Sequence, residues 1–582
     1  MKTKKRKRGL SILLAVLAAA ACLLTGCGTQ KSEAQEDAET IQVYLWNATL
    51  YENYAPYIQS QLPDVNIEFI VGNNDLDFYK FLNENGGLPD IITCCRFSLH
   101  DAAPLKDSLM NLATTNEAGA VYNPYLSSFK NEDGSVNCSL FAKYGIPLPT
   151  DYDSFVSACK AFEKHGIRGF DADYTYDYTC METLQGLSVS ELSSAEGRKW
   201  RAAYSDPAST EKVGLDDTVW PTAFKNLEQF IRDTGLNAAD LTLNYDDIMD
   251  RMRGGELAMF FGTSANVKIL QDEGIDTTFL PFFGQDGQQW LMTTPYFQVA
   301  LNRELEQDSA RRDKAIQVLH VMLSEEAQNR IVYDGQDILS YSQNVSLRLT
   351  DYLEDVRQVV EQNHMYIRIA SNDFFSISKD VVSRMIAGEY TAEQAYQAFN
   401  AQLLADEPAP DAAVLTSDKG YSNVFHADGG NAAFSVMANT LRGVYDTDVL
   451  IAAANSFTGS VLAADYTKKM AASMIMPNSL LAYRCTMNGA ELTETVRAFV
   501  EGCEGGFTPF NRGSLPVVSG IAIEVKEENG GFTLTGIKRD GKPLREDDSV
   551  TVTCLATADG MAPLLADESR AFKGGDTTVR DT

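Results

Sequence analysis

Apolar and polar residues alternate along positions 41–94 in a way that predicts strands and helices in turn. The apolar runs 41–46, 66–71 and 88–93 have the length and composition of buried strands. Between them, residues 51–62 and 76–83 carry apolar side chains at helical spacing. Strand–helix–strand units of this length pair in parallel, so the pattern predicts an α/β sheet.

The middle of the chain continues this alternation. Residues 255–261 form an apolar run typical of a buried strand, and 279–283 form a second apolar segment. One predicted helix begins near Thr150 and ends at Gly166. Two apolar stripes at helical spacing are interpreted as core, namely Phe155, Ala158, Cys159 and Phe162, and then Ala315, Val318, Leu319, Met322 and Leu323.

The composition changes after residue 403, where Pro, Ala and Asp residues predict a linker. The elements predicted beyond it are strands at 448–454, 480–487 and 550–555, a helix at 491–500, and a hairpin of 521–526 with 532–537 around an Asn-Gly turn. We therefore divide the chain into a first module at 41–405, a linker at 406–428 and a C-terminal domain at 429–582. The linker predicts that the two modules are independent units.

The composition is that of a multidomain globular protein. The 582 residues exceed one ordinary domain, and 44% hydrophobic residues with 10% aromatics suffice to build cores. This content excludes a mainly disordered chain. The formal net charge of −31 argues against a nucleic acid as partner, since phosphates are neutralised by clustered Lys and Arg.

The N-terminus has the features of a bacterial export signal. Residues 1–8 carry six positive charges and no acid, and an apolar run of about 15 residues follows. The sequence Leu24-Thr-Gly-Cys27 resembles the lipobox of bacterial lipoproteins, which implies cleavage before Cys27 and acylation (palmitate) at that residue. We expect a signal peptide at 1–26, a flexible tether at 27–40, and a chain anchored by lipid to the outside of the cell membrane. The alternative is a plain transmembrane anchor, for which the run is barely long enough.

Candidate catalytic and metal-binding residues are sparse. Eight cysteines remain besides Cys22 and Cys27, and none has zinc-ligand spacing. The five histidines are scattered, and no nucleophile elbow, phosphate-binding loop or dinucleotide motif is present. We predict no catalytic residue, no metal and no cofactor, and we interpret the cysteines as small buried apolar residues.

An ordered set of motifs runs through residues 41–405. They are the Leu88-Pro-Asp-Ile-Ile strand, the Pro149-Thr-x-Tyr-Asp-Ser-Phe helix start, the Gly255-Glu-Leu-Ala-Met strand, Phe279-Leu-Pro, and the helix ending Leu323-Ser-Glu-Glu. Behind a lipobox, this set resembles the extracellular solute-binding proteins of ABC importers, a group that includes sugar-binding lipoproteins. The resemblance implies a two-lobed, periplasmic-binding-protein-like α/β module that captures a small solute and delivers it to a permease in the membrane.

The sequence departs from that family after Asn137. The family has a Tyr-Gly-x-Pro element there, with a crossing strand that links the lobes and lines the cleft. Here residues 138–145 follow directly. We therefore expect the crossing segment to be deleted, so that the lobe closes differently or binding is impaired.

Residues 430–582 resemble the C-terminal domain of 5′-nucleotidases. The resemblance implies an α+β domain, truncated at its end, that stacks a nucleoside base between two Phe rings. Asn478 and Ala556 stand at the positions of these rings, and Ser460 stands at that of an Arg. The nucleotide site is therefore expected to have decayed or to have been repurposed. The motifs that carry the resemblance are Asn488-Gly-Ala-Glu-Leu, Leu515-Pro-Val-Val-Ser-Gly, Asp540-Gly-Lys-Pro-Leu and Val550-Thr-Val-Thr-Cys.

Four residues are predicted to bind the ligand. Sugar-binding clefts combine aromatic faces, which stack on sugar rings, with polar groups that bind hydroxyls. Trp46 and Asn47 end the first strand, where α/β sheets place ligands. Trp290 and Tyr296 flank the Thr-Thr-Pro segment after the expected crossover. Trp220 is a further candidate.

Together these observations predict a lipid-anchored extracellular solute-binding protein that delivers a sugar or similar small solute to an ABC importer. Two alternatives stay open. The C-terminal resemblance suggests a nucleotide-processing hydrolase, although the two-metal catalytic domain of 5′-nucleotidases has no counterpart in this sequence. The other alternative is a non-catalytic cell-surface scaffold.

Overall fold

The computed structural model shows two α/β lobes and a C-terminal domain. It describes residues 40–46, 54–72, 76–94, 103–110, 128–131, 134–206, 209, 211–331, 339–340, 356–362, 364–405, 411–423, 430–476, 479–501, 516–528, 531–557 and 573–580. In this part of the chain, no helix is both long enough and apolar enough to cross a membrane.

The first lobe is built mainly from residues 40–131. Strand β1 pairs in parallel with β2 on one side and with β3 on the other, as the alternating pattern predicts. A 3-10 helix at Ala103–Ser108 follows β3. The elements are β1 (Ile41–Leu45), α1 (Ala55–Gln61), β2 (Ile67–Val71), α2 (Leu76–Glu84), β3 (Ile91–Cys94) and β4 (Ser128–Asn131).

The second lobe begins at residue 134. Its four-stranded sheet has the order β6–β7–β5–β8, in which β6 and β7 are parallel and β5 runs antiparallel to both β7 and β8. The elements are β5 (Gly134–Asn137), α3 (Cys138–Tyr144), α4 (Tyr152–Glu163), β6 (Arg168–Ala172), α5 (Asp177–Gly186), α6 (Val189–Leu192), α7 (Ala195–Tyr204), α8 (Trp220–Thr234), α9 (Tyr245–Gly254), β7 (Leu257–Phe261), α10 (Ser264–Asp272), β8 (Thr277–Leu280) and β9 (Phe282–Phe283).

Sequence-local signals start and end the helices of this lobe. Asp151 caps α4 through a reciprocal capping box with Ser154, and Asn244 caps α9 in the same way with Asp247. Gly255 ends α9 in the left-handed conformation, with a φ of 68°.

Residues 289–405 pass between the lobes. Strand β10 is 13 residues long and pairs with β9 and β12 near its start but with β4 and β3 further on. The elements are β10 (Gln289–Leu301), α11 (Ser309–Met322), α12 (Glu325–Ile331), β11 (Leu339–Ser340), α13 (Arg357–Glu361), β12 (Met365–Ile367), α14 (Asn372–Ile386) and α15 (Ala392–Leu403).

The chain crosses between the lobes after β4, and this corrects the expected deletion. Strand β4 lies in the first sheet, whereas β5, three residues later, lies in the second. Residues 128–137 therefore make the crossing that was expected to be missing after Asn137.

The C-terminal domain combines three sheets with three α-helices in its described part. Its five-stranded sheet has the order β17–β14–β21–β16–β22, and part of the predicted linker forms strand β13, which pairs with β15. The elements are β13 (Ala413–Thr416), α16 (Ala432–Tyr445), β14 (Val449–Ala453), β15 (Asp465–Thr467), α17 (Lys468–Ser473), β16 (Leu481–Asn488), α18 (Gly489–Glu501), β17 (Pro516–Ser519), β18 (Ala522–Glu528), β19 (Gly531–Arg539), β20 (Lys542–Pro543), β21 (Ser549–Ala556) and β22 (Lys573–Thr578).

One hydrophobic cluster joins the first lobe to the C-terminal domain. It contains Tyr44 and Phe81 of the first lobe together with Phe434, Tyr466 and Leu480 of the C-terminal domain. This continuous core runs against the expectation that the linker separates two independent units.

Candidate functional site

The carboxyl ends of the parallel strands in both lobes face the crossing segments. In the first lobe, β10 runs antiparallel to β3 with Gln298 opposite Cys94, the last residue of β3. In the second lobe, Gly134 at the start of β5 lies opposite Phe261, the last residue of β7. The two carboxyl edges are therefore turned toward each other, and this edge is where open α/β sheets bind ligands.

Trp46 stands on the first-lobe side of this candidate cleft. It directly follows β1, and its backbone N–H donates a 3.2 Å hydrogen bond to Oγ1 of Thr93 on β3. The Thr93 hydroxyl in turn donates to the Tyr44 carbonyl at 2.8 Å. The half-buried indole packs against the hydrophobic cluster beneath α1 and α11, which fixes one side of the ring.

Gly72 lies beside Trp46 at the same edge. Its N–H donates to the Leu45 carbonyl at 3.0 Å, which extends the pairing of β1 and β2 by one residue. A Cβ at this position would overlap the Tyr44 ring, so only glycine fits here.

Two stacked tyrosines stand on the second-lobe side. Tyr176 and Tyr178 follow the carboxyl end of β6, and their rings lie 5.0 Å apart at an interplanar angle of 20°. The Tyr176 side chain is 47% exposed. The sequence analysis did not single out these residues, although the run Asp173-Tyr-Thr-Tyr-Asp-Tyr178 directly after a strand is a recognisable signal.

Polar groups lie next to this aromatic pair. Asp173 is buried, and its Oδ1 accepts hydrogen bonds from the backbone N–H of Thr175 at 2.9 Å and from the Thr175 hydroxyl. Burial raises the pKa of Asp173 above its ordinary value, while the bonds from Thr175 oppose the rise. Asp173 therefore places a buried carboxyl group close in sequence to the tyrosine pair.

A second polar group follows the carboxyl end of β7. Asn266 accepts a 2.6 Å hydrogen bond from the Thr263 N–H through Oδ1 and donates at 2.9 Å to the Tyr245 hydroxyl. These bonds hold the start of α10 against α9 at the edge of the second sheet.

A buried polar network ties the segment after β12 to helix α5. Oε1 of Gln185 accepts hydrogen bonds from the Tyr366 hydroxyl and from the Ile369 N–H, both at 2.8 Å, and its Nε2 donates to the Ile369 carbonyl at 3.0 Å. Next to it, Glu182 and Arg368 form an ion pair with both side chains fully buried. Helix α5 thus connects the tyrosine pair at its start to the crossing segment near its end.

Trp290 lies at the second-lobe end of β10. Its Nε1–H points to the Asp286 carboxylate, at 3.2 Å from Oδ2, and its ring stacks on His364 with centroids 5.1 Å apart. One face of the indole is therefore covered by the protein itself. Tyr296 falls where the register of β10 against β4 shifts, between Pro295 and Phe297, and its side chain lies outside the described part.

The other predicted residues are placed as follows. Asn47 and Cys27 lie outside the described residues, so their roles stay predictions. Trp220 is fully buried, with its ring 5.0 Å from that of Trp200 and 5.6 Å from that of Phe374. Its candidacy as a ligand contact is therefore wrong, because the aromatic core of the second lobe encloses it.

Asp171 is a buried carboxyl group of the second lobe with a raised pKa. Its side chain is fully buried on β6, with Oδ2 at 3.3 Å from Nη1 of Arg251 and 3.8 Å from Nε of Arg168. Burial and the nearby Asp240 carboxylate raise the pKa of Asp171 to about 7, against the effect of the two guanidinium groups.

Of two cavities in the described part of the chain, the smaller reaches the carboxyl edge of the second sheet, because Phe261 lines it. One of about 320 Å³ lies at the opposite edge of the first sheet, lined by Leu88 and Asn302 among others, and one of about 50 Å³ lies among phenylalanines of the second lobe. Within the described ranges, no group of three or more His, Cys, Asp and Glu side chains is arranged to hold a metal ion.

Comparison with known proteins finds likeness at the level of the fold. No protein-family profile and no curated protein matches the sequence. A family 1 extracellular solute-binding protein from Bifidobacterium longum subsp. infantis matches 62% of this chain and 98% of its own, with a TM-score of 0.51 and 16% identity. RafE from Streptococcus pneumoniae, solved without ligand, matches 63% of this chain and 97% of its own, with a TM-score of 0.50 and 13% identity.

A second structure of RafE holds raffinose and matches equally well, with a TM-score of 0.50, 13% identity, and coverage of 63% of this chain and 98% of its own. These likenesses establish that 62–63% of this chain has the two-lobed fold of extracellular solute-binding proteins.

Proposed function

We propose that this protein captures a small solute, specifically a sugar, in the cleft between its two lobes. The observation that carries the proposal is the placement of aromatic side chains on both facing carboxyl edges, with Trp46 on one and the Tyr176–Tyr178 pair on the other. Aromatic faces suit the apolar surfaces of sugar rings, and each stacking contact contributes on the order of 1 kcal/mol beyond area burial. The raffinose held by a protein of the same fold supports this class of ligand.

The polar groups beside the aromatic pair would orient the solute. Asp173 supplies carboxylate oxygens that accept hydrogen bonds from sugar hydroxyls, and Asn47 carries an amide that both donates and accepts. Trp290 and Tyr296 remain proposed contacts on the long crossing strand. The protein would need no cofactor and no metal for this role.

Binding would close the lobes over the solute by rotation about the crossing segments. The second lobe moves with the segment after β12, because Gln185 and the Glu182–Arg368 pair fix that segment to α5. Rotation would then occur within β10, which pairs with strands on both sides of the cleft.

We further propose that acylation of Cys27 holds the protein on the outer face of the cell membrane, where it delivers the solute to an ABC permease. The Leu-Thr-Gly-Cys sequence behind a basic, apolar leader supports the anchor. The residues at 27–40 would give the lobes reach from the membrane surface.

Titration calorimetry with raffinose, maltose, stachyose and a set of nucleosides tests the proposed ligand class. We expect saturable heat with at least one oligosaccharide and a smaller radius of gyration in solution scattering when that sugar is present. Heat with nucleosides alone would favour the nucleotide-related alternative, and heat with none of them would favour the scaffold.

A further inference from the structure

Helix α2 carries buried apolar side chains on two faces. Leu76, Phe78, Tyr79, Phe81 and Leu82 are all buried, which is five of its nine residues. A surface helix buries one stripe only, so a helix with two buried faces has a packing partner on each side.

One face of α2 packs on the sheet of the first lobe. The Tyr79 hydroxyl donates a 2.9 Å hydrogen bond to the Thr93 carbonyl on β3. The Tyr79 ring also meets Tyr44 of β1 edge-on, with centroids 5.2 Å apart. This face makes the ordinary helix-on-sheet contact of an α/β lobe.

The other face of α2 contacts the C-terminal domain. The Phe81 ring lies 4.8 Å from that of Tyr466, between centroids. The Phe78 ring lies beside Gly459, where a Cβ would be in ordinary van der Waals contact with it at 3.6 Å. At the rim of the contact, Asp77 pairs with Lys469.

The contact continues into the loop that follows α2. A Cβ added to Gly87 would come within 2.6 Å of the Leu462 side chain, so the backbone of this loop lies directly against the C-terminal domain. The contact is made with the terminal methyl groups of Leu462, which a Cβ at position 87 would displace.

Gly459 and Leu462 belong to the segment that follows β14. Strand β14 is parallel to β21, with Leu450 opposite Thr553, so their carboxyl ends share one edge of the five-stranded sheet. Open α/β sheets bind ligands at such an edge. In this protein, α2 and its loop pack against the segment that leaves that edge.

We propose that the segment after β14 in the C-terminal domain is a docking socket for α2, and that docking makes the first lobe and the C-terminal domain one rigid unit. The solved structures of the two-lobed fold correspond to only 62–63% of this chain while covering nearly their whole length. The docked domain is therefore an addition to that fold, and its partner is a helix of the same chain.

Hydrogen exchange of the full-length protein, followed by mass spectrometry, tests the docking without any solute. In Phe81→Asp, exchange is expected to rise on the order of tenfold or more in two segments far apart in sequence, 76–87 and 457–475. Peptides of α5 and α8 in the second lobe serve as the internal control and are expected to exchange as in the parent. Phe81→Leu, which keeps an apolar side chain, is expected to restore most of the protection.

A substitution in the C-terminal domain tests the same contact from the side of the docking socket. Leu462→Ser is expected to raise exchange in the same two segments, whereas Val525→Ser, an exposed apolar residue on β18, leaves both unchanged. If each substitution raises exchange only in its own segment, the two units are independent and the proposal is overturned. Should Phe81→Asp fail to fold, Leu462→Ser decides by the same criterion, and Phe81→Leu serves as the conservative control.

Discussion

The side-chain oxygen of Gln185 accepts a 2.8 Å hydrogen bond from the hydroxyl of Tyr366, and both residues are buried. The two residues are 181 positions apart, one on α5 and the other on the crossing strand β12. Because the same amide also pairs with both backbone groups of Ile369, it holds the segment after β12 to helix α5 of the second lobe.

Replacing Gln185 with Leu should lower the free energy of unfolding by about 2–4 kcal/mol. The substitution leaves the Tyr366 hydroxyl and the backbone groups of Ile369 buried without their partner, and each such group costs about 1–3 kcal/mol. Urea unfolding measures the change. Gln397→Leu, at an exposed glutamine on α15, is the matched control and should shift stability by no more than about 0.5 kcal/mol. Equal stability of the two variants would show that the network contributes nothing.

Replacing Gly72 with Ala should destabilise the first lobe by about 1–3 kcal/mol, because the new methyl group overlaps the Tyr44 ring in a packed core. Gly443→Ala is the control, since it lies within α16 and a Cβ there meets nothing within 4 Å. That substitution should leave stability unchanged or raise it by up to about 1 kcal/mol. Thermal unfolding compares the two, and a Gly72→Ala protein as stable as Gly443→Ala would contradict the close contact.

Ionisation of Asp171 should lower the free energy of unfolding as the pH rises. Its pKa is raised from 3.8 to about 7 in the fold, so the folded chain keeps a proton that the unfolded chain has already released. The stability that this group contributes is complete below pH 3.8 and is lost as pH rises to about 7, at no more than about 1.4 kcal/mol per pH unit.

The Asp171→Asn variant isolates this effect, because the amide does not ionise. Urea unfolding at intervals from pH 4 to pH 8 should show the parent losing stability relative to the variant across that window. Parallel pH profiles for the two proteins would mean that Asp171 ionises in the fold as readily as in water.

Cys27 should carry lipid in the mature protein. Mass spectrometry of the N-terminal peptide is expected to find a chain beginning at an acylated Cys27, and Cys27→Ala should abolish stable association with membranes. Cys22→Ala, five residues earlier in the leader, should leave lipidation intact. A mature chain that still begins at Met1 would contradict the lipobox interpretation.

Local sequence pattern was sufficient to predict most of the strands and helices. The predicted helix at 76–83 is Leu76–Glu84, and the predicted hairpin around Asn-Gly is formed by β18 and β19. The capped start near Thr150 gives α4. These predictions succeed because periodicity, caps and turn residues act over a few neighbouring positions.

The predictions that failed concern contacts between distant segments. The crossing strand was sought after Asn137, although the chain already passes from the first sheet to the second between β4 and β5. The docking of α2 was missed for the same reason, since its partner Tyr466 lies hundreds of residues away. The spacing of Phe78, Tyr79, Phe81 and Leu82 on two faces of one helix was the available signal.

The candidate site was only partly predictable. Trp46 could be placed from the end of the first strand, because the carboxyl edge of a parallel sheet follows from strand order. Tyr176 and Tyr178 could not be matched to it, since only the folded chain shows that β6 ends at the edge that faces the first lobe.

The most direct test of the proposed function is the affinity of cleft variants for an oligosaccharide that the parent protein binds. Trp46→Ala and Tyr176→Ala should each weaken binding about tenfold or more in titration calorimetry, which corresponds to about 1.4 kcal/mol. Tyr390→Ala is the control. Tyr390 follows the C-terminal end of α14, whereas the segment after β12 leads into the N-terminal end of this 15-residue helix. Affinities of both cleft variants equal to that of Tyr390→Ala would contradict a solute site between the two lobes.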